Sequence, residues 1–294
     1  MPDHVGFAEC AAPASSLSVG RITLTVRDRD RVAEFYQRVV GLHAMPSGGG
    51  PMRLGAGNDV LLELRHDPAA RPASPREAGL FHTAFLLPGR SALAAWLRYA
   101  AVSGQPLSGA SDHAVSEAVY LSDPEGNGVE MYADRPAAEW RWSGGLVHMP
   151  SEPLDLQGLM ALDGGGRWDG LLAATVGHVH LRVGDIPEAE RFYAALPGLA
   201  VTARHPGGTF YAAGGYHHHL ATNVWHSRGA LPRDGAATGL AAVELRLPAD
   251  ELAAARSRLP GAVPNGAGGL LLRDPWNTAV VLTPTHLSKE TDHG

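Results

Sequence analysis

Cysteine and lysine are nearly absent from this chain of 294 residues, which contains one cysteine, Cys10, and one lysine, Lys289. A single cysteine excludes a disulfide framework and a cysteine-rich metal site, so histidines and carboxylates are the remaining metal ligands. The 24 Lys+Arg face 30 Asp+Glu and form no basic stripe that could follow a phosphate backbone. We therefore expect no nucleic-acid partner.

Long apolar runs are also missing. Residues 1–16 lack the charged start and continuous apolar stretch of a secretory signal. No window approaches the roughly 20 apolar residues of a membrane span. With 45% hydrophobic and 18% charged residues, the composition is that of a globular protein of about two domains. We expect a cytoplasmic protein without a membrane partner, and a homo-oligomer stays open.

An internal repeat organises the chain. Residues 19–28 return as residues 176–185, at an offset of 157 residues, and a weaker likeness relates 82–88 to 242–248. Each repeat begins with an alternating apolar run typical of a half-buried strand, followed by apolar residues at helical spacing and then short strands between Gly and Pro turns. This pattern predicts an α+β fold of four βαβββ modules, paired into two half-open barrels.

The repeats divide the chain into two halves. We predict a tail over 1–16, a first domain with modules one and two over 17–134, and a second domain with modules three and four over 176–285. A linker over 135–175 joins them, because tryptophans set among Gly and Pro break the repeat there. A second tail follows over 286–294.

Ligand-type residues occupy only some of the equivalent module positions. The inward position of the first strand holds Arg21, His82, His178 and Ala242 in turn, so only modules two and three offer imidazoles. The last strand of module two carries Glu130, whereas that of module four is apolar. Two histidines and one carboxylate are the ligand set of non-haem iron(II) oxygenases, and a metal would compensate for burying a carboxylate in an apolar strand. We therefore predict one metal centre.

The stretch from His113 to Glu130 contains a His, a Tyr, an Asp-Pro pair, Gly and a closing Glu. It resembles the signature of the extradiol ring-cleaving dioxygenases in the vicinal oxygen chelate superfamily. Gly109 to His113 and Gly215 to His219 are similar to bacterial catechol-2,3-dioxygenases of the two-lobed type, and the resemblance covers nearly the whole chain. It implies the vicinal oxygen chelate fold and meta-cleavage of catechol or a substituted catechol, in aromatic hydrocarbon catabolism. It also implies Fe(II), with Mn(II) as an alternative for the same ligands, and a small aromatic diol and O2 as partners.

The same resemblance assigns individual residues. His82, Glu130 and His178 fall on metal-ligand positions. His113 and Tyr120 fall on residues that line the catecholate pocket, with a part in catalysis and substrate binding. The acid/base histidine falls on His218, and we predict that His217 and His219 bind substrate. A histidine titrates in the range needed to take a proton from the catechol and to return one later. If this run is a strand, however, alternate side chains point outward, and one or two of the three are structural.

The distribution of these ligands departs from the familiar extradiol pattern, which keeps them in the C-terminal half. Here Ala242 and the apolar strand over 277–282 cannot supply them. We therefore predict that modules two and three form the metal barrel and that modules one and four form its partner. The active site would then join the two halves of the chain.

Two other functions stay open. A glyoxalase-type isomerase would use a divalent metal with more carboxylate or Gln ligands and no redox change, and the two-histidine set suits oxygen chemistry better. A non-catalytic, drug-sequestering protein of the same fold needs no metal set, and the joint pattern of predicted ligands argues against it. Bound iron would discriminate between these functions.

Overall fold

The computed structural model describes residues 17–162, 168, 170, 174–259, 261–266 and 268–285. The predicted tails over 1–16 and 286–294 lie outside the described residues. No helix within the described ranges is long and apolar enough to span a membrane.

Modules one and two each contain one helix between their first and second strands. Module one consists of β1 (Ser18–Val26), α1 (Arg29–Phe35), β2 (His43–Met45), β3 (Met52–Ala56) and β4 (Asp59–His66). A π-helical turn, Tyr36–Val40, extends α1 and ends at Gly41, whose φ of 88° is the left-handed conformation that glycine adopts readily. Module two consists of β5 (Gly79–Leu86), α2 (Arg90–Val102), β6 (Gly109–Asp112), β7 (Ser116–Ser122) and β8 (Gly128–Asp134).

Modules three and four repeat this order after the linker. The linker contains a 3₁₀ turn (Ala137–Glu139), the short strands β9 (Trp142–Ser143) and β10 (Leu146–Val147), and α3 (Leu156–Met160). Module three consists of β11 (Thr175–Arg182), α4 (Ile186–Tyr193), β12 (Ala200–His205), β13 (Gly208–Ala212) and β14 (Leu220–Asn223). Module four consists of β15 (Gly239–Leu247), α5 (Ala249–Ala255), β16 (Val263–Asn265), β17 (Gly269–Arg273) and β18 (Ala279–Pro284).

The modules pair across the halves of the chain into two curled sheets of eight strands. One sheet, here called the inner sheet, has the order β12-β13-β14-β11-β5-β8-β7-β6 and contains modules three and two. The other, here called the outer sheet, has the order β16-β17-β18-β15-β1-β4-β3-β2 and contains modules four and one. The α+β fold of four paired βαβββ modules is confirmed, and so is the pairing of module two with three and of module one with four. The division into sequence domains stays a prediction, since each sheet draws on both halves.

The first strand of every module lies at the centre of its sheet, where it is most deeply buried. In β1 the alternating residues Ile22, Leu24 and Val26 are fully buried. Burying each such side chain contributes about 1.5–3 kcal/mol, so the apolar alternation is enough to fix which face of the strand points to the core. The same register turns the opposite face toward the concave side of the sheet, where a site can form.

A buried tyrosine ties each odd-numbered module to the next one. The hydroxyl of Tyr193 donates to Asp274 Oδ2 at 2.8 Å, and Tyr36, its repeat equivalent, lies 3.5 Å from Asp123 Oδ2. Each aspartate opens an Asp-Pro turn, and Asp123 Oδ1 accepts the backbone N–H of Asn127 at 2.9 Å. The Asp-Pro element of the motif therefore builds the turn into β8, the strand that carries Glu130.

Candidate metal centre and substrate cavity

Three predicted ligands converge on the concave side of the inner sheet. His82 lies on β5 and His178 on β11, which run antiparallel, while Glu130 lies on β8, parallel to β5. His82 Nε2 is 2.9 Å and His178 Nε2 is 3.1 Å from the same oxygen, Glu130 Oε2. One ligand atom from each residue lies within 4.8 Å of the other two, so these side chains can hold a single metal ion.

The chemistry of this donor set fits a divalent cation. Glu130 is 2% exposed, and its only ionic partners in the described part of the chain are the two imidazoles. Burial raises the pKa of Glu130, but the adjacent His178 and His82 rings outweigh it, and the pKa lies well below its ordinary value. Burial also lowers the pKa of His178 to about 4, so this ring is neutral at neutral pH, which is the form that binds metals. His82 Nε2 is buried without a hydrogen-bond partner of suitable geometry.

A β-bulge and a glycine set the position of His82. In the pairing of β5 with β11, His82 lies opposite His180 and Leu80 lies opposite the next residue of β11, so Phe81 is the extra residue of a bulge. Phe81 and His82 therefore both face the cavity, although they are neighbours in sequence. A Cβ atom at Gly128 would run into the carbonyl oxygen of Phe81. The motif glycine is required by this close approach of β8 to the bulge.

His113 and Tyr120 form a hydrogen-bonded pair in the cavity wall. His113 Nδ1 lies 2.7 Å from the carbonyl oxygen of Pro150, which can only accept, so Nδ1 carries the proton. In the neutral ring Nε2 is then an acceptor, and the Tyr120 hydroxyl donates to it at 2.8 Å. Burial raises the pKa of Tyr120 well above its ordinary value, and Glu130 adds to the rise. The hydroxyl thus keeps its proton at neutral pH, and the linker, which contains Pro150, orients the pair.

The histidine run does not lie on a strand, so that expectation is wrong. It follows a turn in which Gly214 and Gly215 have φ of 64° and 76°, and β14 begins only afterwards. His217, His218 and His219 are all buried, so alternate side chains do not point outward to solvent. Only His218 lines the cavity, and its ring centroid lies 4.0 Å from that of His178.

A chain of hydrogen bonds orients His218. His217 Nε2 donates to Asp134 Oδ1 at 2.9 Å, so in the neutral ring His217 Nδ1 is an acceptor. His218 Nδ1 therefore donates to His217 Nδ1 at 2.7 Å, and a lone pair remains on His218 Nε2. Burial, followed by the nearby His178, lowers the pKa of His218 well below its ordinary value, which keeps the ring neutral. The hydrogen bonds, which leave the lone pair of Nε2 free, make this atom the available proton acceptor of His218.

The predicted site residues thus separate into two groups. The cavity, of about 430 Å³, brings together all three ligands with His113, Tyr120 and His218. His217 and His219 lie behind its wall, where His217 supports His218 and His219 Nδ1 accepts the backbone N–H of Ala213 at 3.4 Å. The contact of His217 and His219 with substrate stays a prediction, which their position outside the cavity lining does not support.

Other cavity residues were missed in the sequence. His180 and Arg182 follow His178 at intervals of two along β11, and both line the cavity. The period of two in a strand would have found them, because alternate residues share a face. The aromatic walls, Phe210 and Trp225, carry no local signal, since they come from β13 and a loop that only the fold brings close.

The outer sheet holds a counterpart of Glu130 that was not predicted from the sequence. Glu63 pairs with Thr23 of β1 as Glu130 pairs with Ala84 of β5, and it is 6% exposed. Its carboxylate lies 3.7 Å from Arg21 Nη1 and 3.4 Å from Arg53 Nε. Arginine side chains thus supply the cation at this position, where the inner sheet offers imidazoles.

Comparisons with known proteins identify a family and a relative to which the chain is similar. A family model described as the Glyoxalase/Bleomycin resistance protein/Dioxygenase superfamily matches residues 18–131. The chain is 40% identical over 239 residues to the catechol-2,3-dioxygenase of Bacillus subtilis (strain 168), a match that covers 79% of this chain and 84% of that protein.

Solved structures share the fold at low sequence identity. The cppA protein from Streptococcus pneumoniae TIGR4 matches with a TM-score of 0.56 and 14% identity, over 91% of this chain and 100% of that one. Glyoxalase I from Zea mays matches with a TM-score of 0.53 and 16% identity, over 91% of this chain and 92% of that one. At these identities the likeness concerns the fold alone.

Proposed function

Because the chain belongs to the glyoxalase, bleomycin resistance protein and dioxygenase superfamily, we propose that it is an extradiol dioxygenase that uses Fe(II) to open a catechol ring with O2. The observation that carries this proposal is the 40% identity to a catechol-2,3-dioxygenase over most of both chains, in a protein whose His82, Glu130 and His178 meet in a cavity. Catechol and O2 would combine into one ring-opened semialdehyde that keeps every atom of both.

The predicted ligands would hold the metal through two imidazole nitrogens and one carboxylate oxygen. A bound Fe(II) supplies Lewis acidity toward the hydroxyl oxygens of a catechol and the redox capacity to use O2. Two histidines and one carboxylate also hold Mn(II), so the metal identity needs a direct comparison of both ions.

The other polar groups of the cavity handle protons. His218 Nε2 carries a lone pair directed away from His217, so it can take the proton of a catechol hydroxyl and return it later. Tyr120 donates its own proton to His113, so its oxygen presents lone pairs to a donor in the cavity. Apolar and aromatic walls, including Phe210, exclude water from the ring. The chain thus offers a base and an oriented hydroxyl in the same cavity.

Anaerobic reconstitution tests this function. The metal-free protein is loaded with Fe(II) or with Mn(II), mixed with catechol and then exposed to O2, while O2 uptake and the yellow ring-opened product are followed. We expect one metal per chain and one O2 consumed per product with at least one of the two ions. Stoichiometric metal without O2 uptake, over catechols with neutral and charged substituents, would contradict the proposal. Isomerisation of an α-oxo thiol adduct without redox change would instead indicate a glyoxalase-type enzyme. The predicted cytoplasmic location stays a prediction.

A further inference from the structure

A partly buried cation faces the cavity at a distance from the metal ligands. Arg182 is the last residue of β11 and lies on the same face of this strand as His178. Four residues along a strand span about 13 Å, so the space between a ligand and the guanidinium can hold a ring and a short substituent. Phe81 and Trp225, whose ring centroids are 5.4 Å apart, border this part of the cavity.

The guanidinium of Arg182 lacks a counterion. In the described residues it forms no ion pair, and its buried Nε has no hydrogen-bond partner. The carboxylate of Glu77 attracts Arg182 electrostatically, but it forms its ion pair with Arg71, at 2.9 Å. Burial lowers the pKa of Arg182, and the neighbouring Arg233 adds to this effect. An unpaired charge that is largely removed from water is costly, and within the described residues only the attraction of Glu77 offsets this cost.

A side cavity extends this positive region. It has a volume of about 110 Å³ and adjoins the main cavity at Arg182 and Gly126. Arg233 lines it as well, with an Nε that also lacks a partner, although its other nitrogens donate to two backbone carbonyls. Glu125 is the carboxylate in this lining, and it already accepts the N–H groups of the two residues that precede α1. Two arginines thus border a space of the size of a small anionic group.

We propose that the substrate is a catechol whose ring carries a carboxylate-bearing substituent, and that Arg182 binds this carboxylate while the diol occupies the metal centre. The proposal rests on the proposed ring-cleaving function and adds a substrate class to it. The planar guanidinium can hold both carboxylate oxygens at once, and the ligand would supply the missing counterion. The aromatic walls between the two ends would hold the ring.

Substrate preference tests this assignment. Catechol, 3,4-dihydroxybenzoate, 3,4-dihydroxyphenylacetate and the methyl esters of the two acids are compared with the parent protein and with Arg182→Met. One charge-assisted pair corresponds to a roughly 10- to 100-fold effect, so the parent should prefer an acid to its ester by that factor in kcat/KM, mainly through KM. Arg182→Met should remove the preference, because it should lower kcat/KM for the acids more than for the esters or for catechol. Arg182→Lys should restore part of the preference, because lysine keeps the positive charge but lacks the planar guanidinium that binds both carboxylate oxygens.

Two controls separate the reasons for a failure. Arg204→Met removes the same charge outside the cavity, from an arginine paired with Glu190, and should leave the preference intact. Anaerobic calorimetry of the acids and esters, with parent and Arg182→Met, reads binding without turnover. The carboxylate assignment is overturned if the protein opens catechol rings without preferring the acids. It is also overturned if Arg182→Met lowers kcat/KM equally for all substrates. In both cases the proposed ring-cleaving function stands. If binding of an acid depends on Arg182 but no catechol ring is opened, the proposed ring-cleaving function is refuted, while carboxylate binding by Arg182 stands.

Discussion

Replacing Glu130 by glutamine separates the metal centre from the fold, because it removes one charge at nearly constant size. In the metal-free protein, the Glu130 carboxylate accepts a hydrogen bond from His178 at 3.1 Å and lies 2.9 Å from His82 Nε2, and the two rings outweigh the cost of its burial. A hydrogen bond to a charged group contributes about 1.5–3 kcal/mol. The metal-free Glu130→Gln variant should therefore be less stable than the parent, by about 1.5–3 kcal/mol.

Metal binding should widen this difference in stability. At a free metal concentration 100 times the Kd, binding stabilises the parent by about 2.7 kcal/mol. At roughly 2 °C per kcal/mol for a chain of this size, its Tm should rise by about 5 °C. Glu130→Gln should lose most of this rise. Anaerobic thermal unfolding with and without Fe(II) or Mn(II) measures both effects, and atomic absorption gives the metal content.

Glu63→Gln is the matched control, since Glu63 occupies the equivalent position of the outer sheet. Its partners are Arg21, Arg53 and Arg65, so removing the charge should destabilise the metal-free protein by about 1–3 kcal/mol and leave the metal-induced rise in Tm intact. If Glu130→Gln keeps the full metal-induced rise, or if Glu63→Gln abolishes it, the assignment of the metal centre is wrong.

Further predictions concern the supports of the site. Tyr193→Phe should lower the free energy of unfolding by about 1–3 kcal/mol. Tyr36→Phe should lower it by less, because its hydroxyl lies 3.5 Å from the aspartate oxygen, compared with 2.8 Å for Tyr193. Equal losses of stability in urea unfolding would contradict this. His217→Phe should lower kcat by about 10-fold or more at unchanged metal content, and an unchanged kcat would show that the Asp134 chain does not orient the base. Gly128→Ala should weaken metal binding by displacing the bulge, as metal titration would reveal, and parental affinity would refute the close-approach argument. Burial lowers the pKa of His219 to about 3, from 6.5 in the unfolded chain, so the unfolded state binds more protons between these values. Stability should therefore fall as the pH drops from 6.5 toward 3, less steeply in His219→Gln, and urea unfolding with the same slope in both proteins would sink this account.

Local patterns were enough to predict the modules. The alternation of Ile22, Leu24 and Val26, and its return 157 residues later, identify half-buried strands because side-chain direction in a strand depends only on parity. The ligand set followed from the same parity, combined with the resemblance to extradiol dioxygenases. The strand parity expected for the three histidines was wrong, because the run follows a glycine turn and lies outside β14.

The sequence by itself determined the number and type of the modules, the residue types available as ligands and, through the positions of His82, His178 and Glu130, which modules must pair. Only the tertiary structure decided what surrounds those ligands. The bulge at Phe81 and the unpaired guanidinium of Arg182 depend on the register between strands that are far apart in the chain. Register and counterion contacts are non-local, so neither periodicity nor spacing along one segment can encode them.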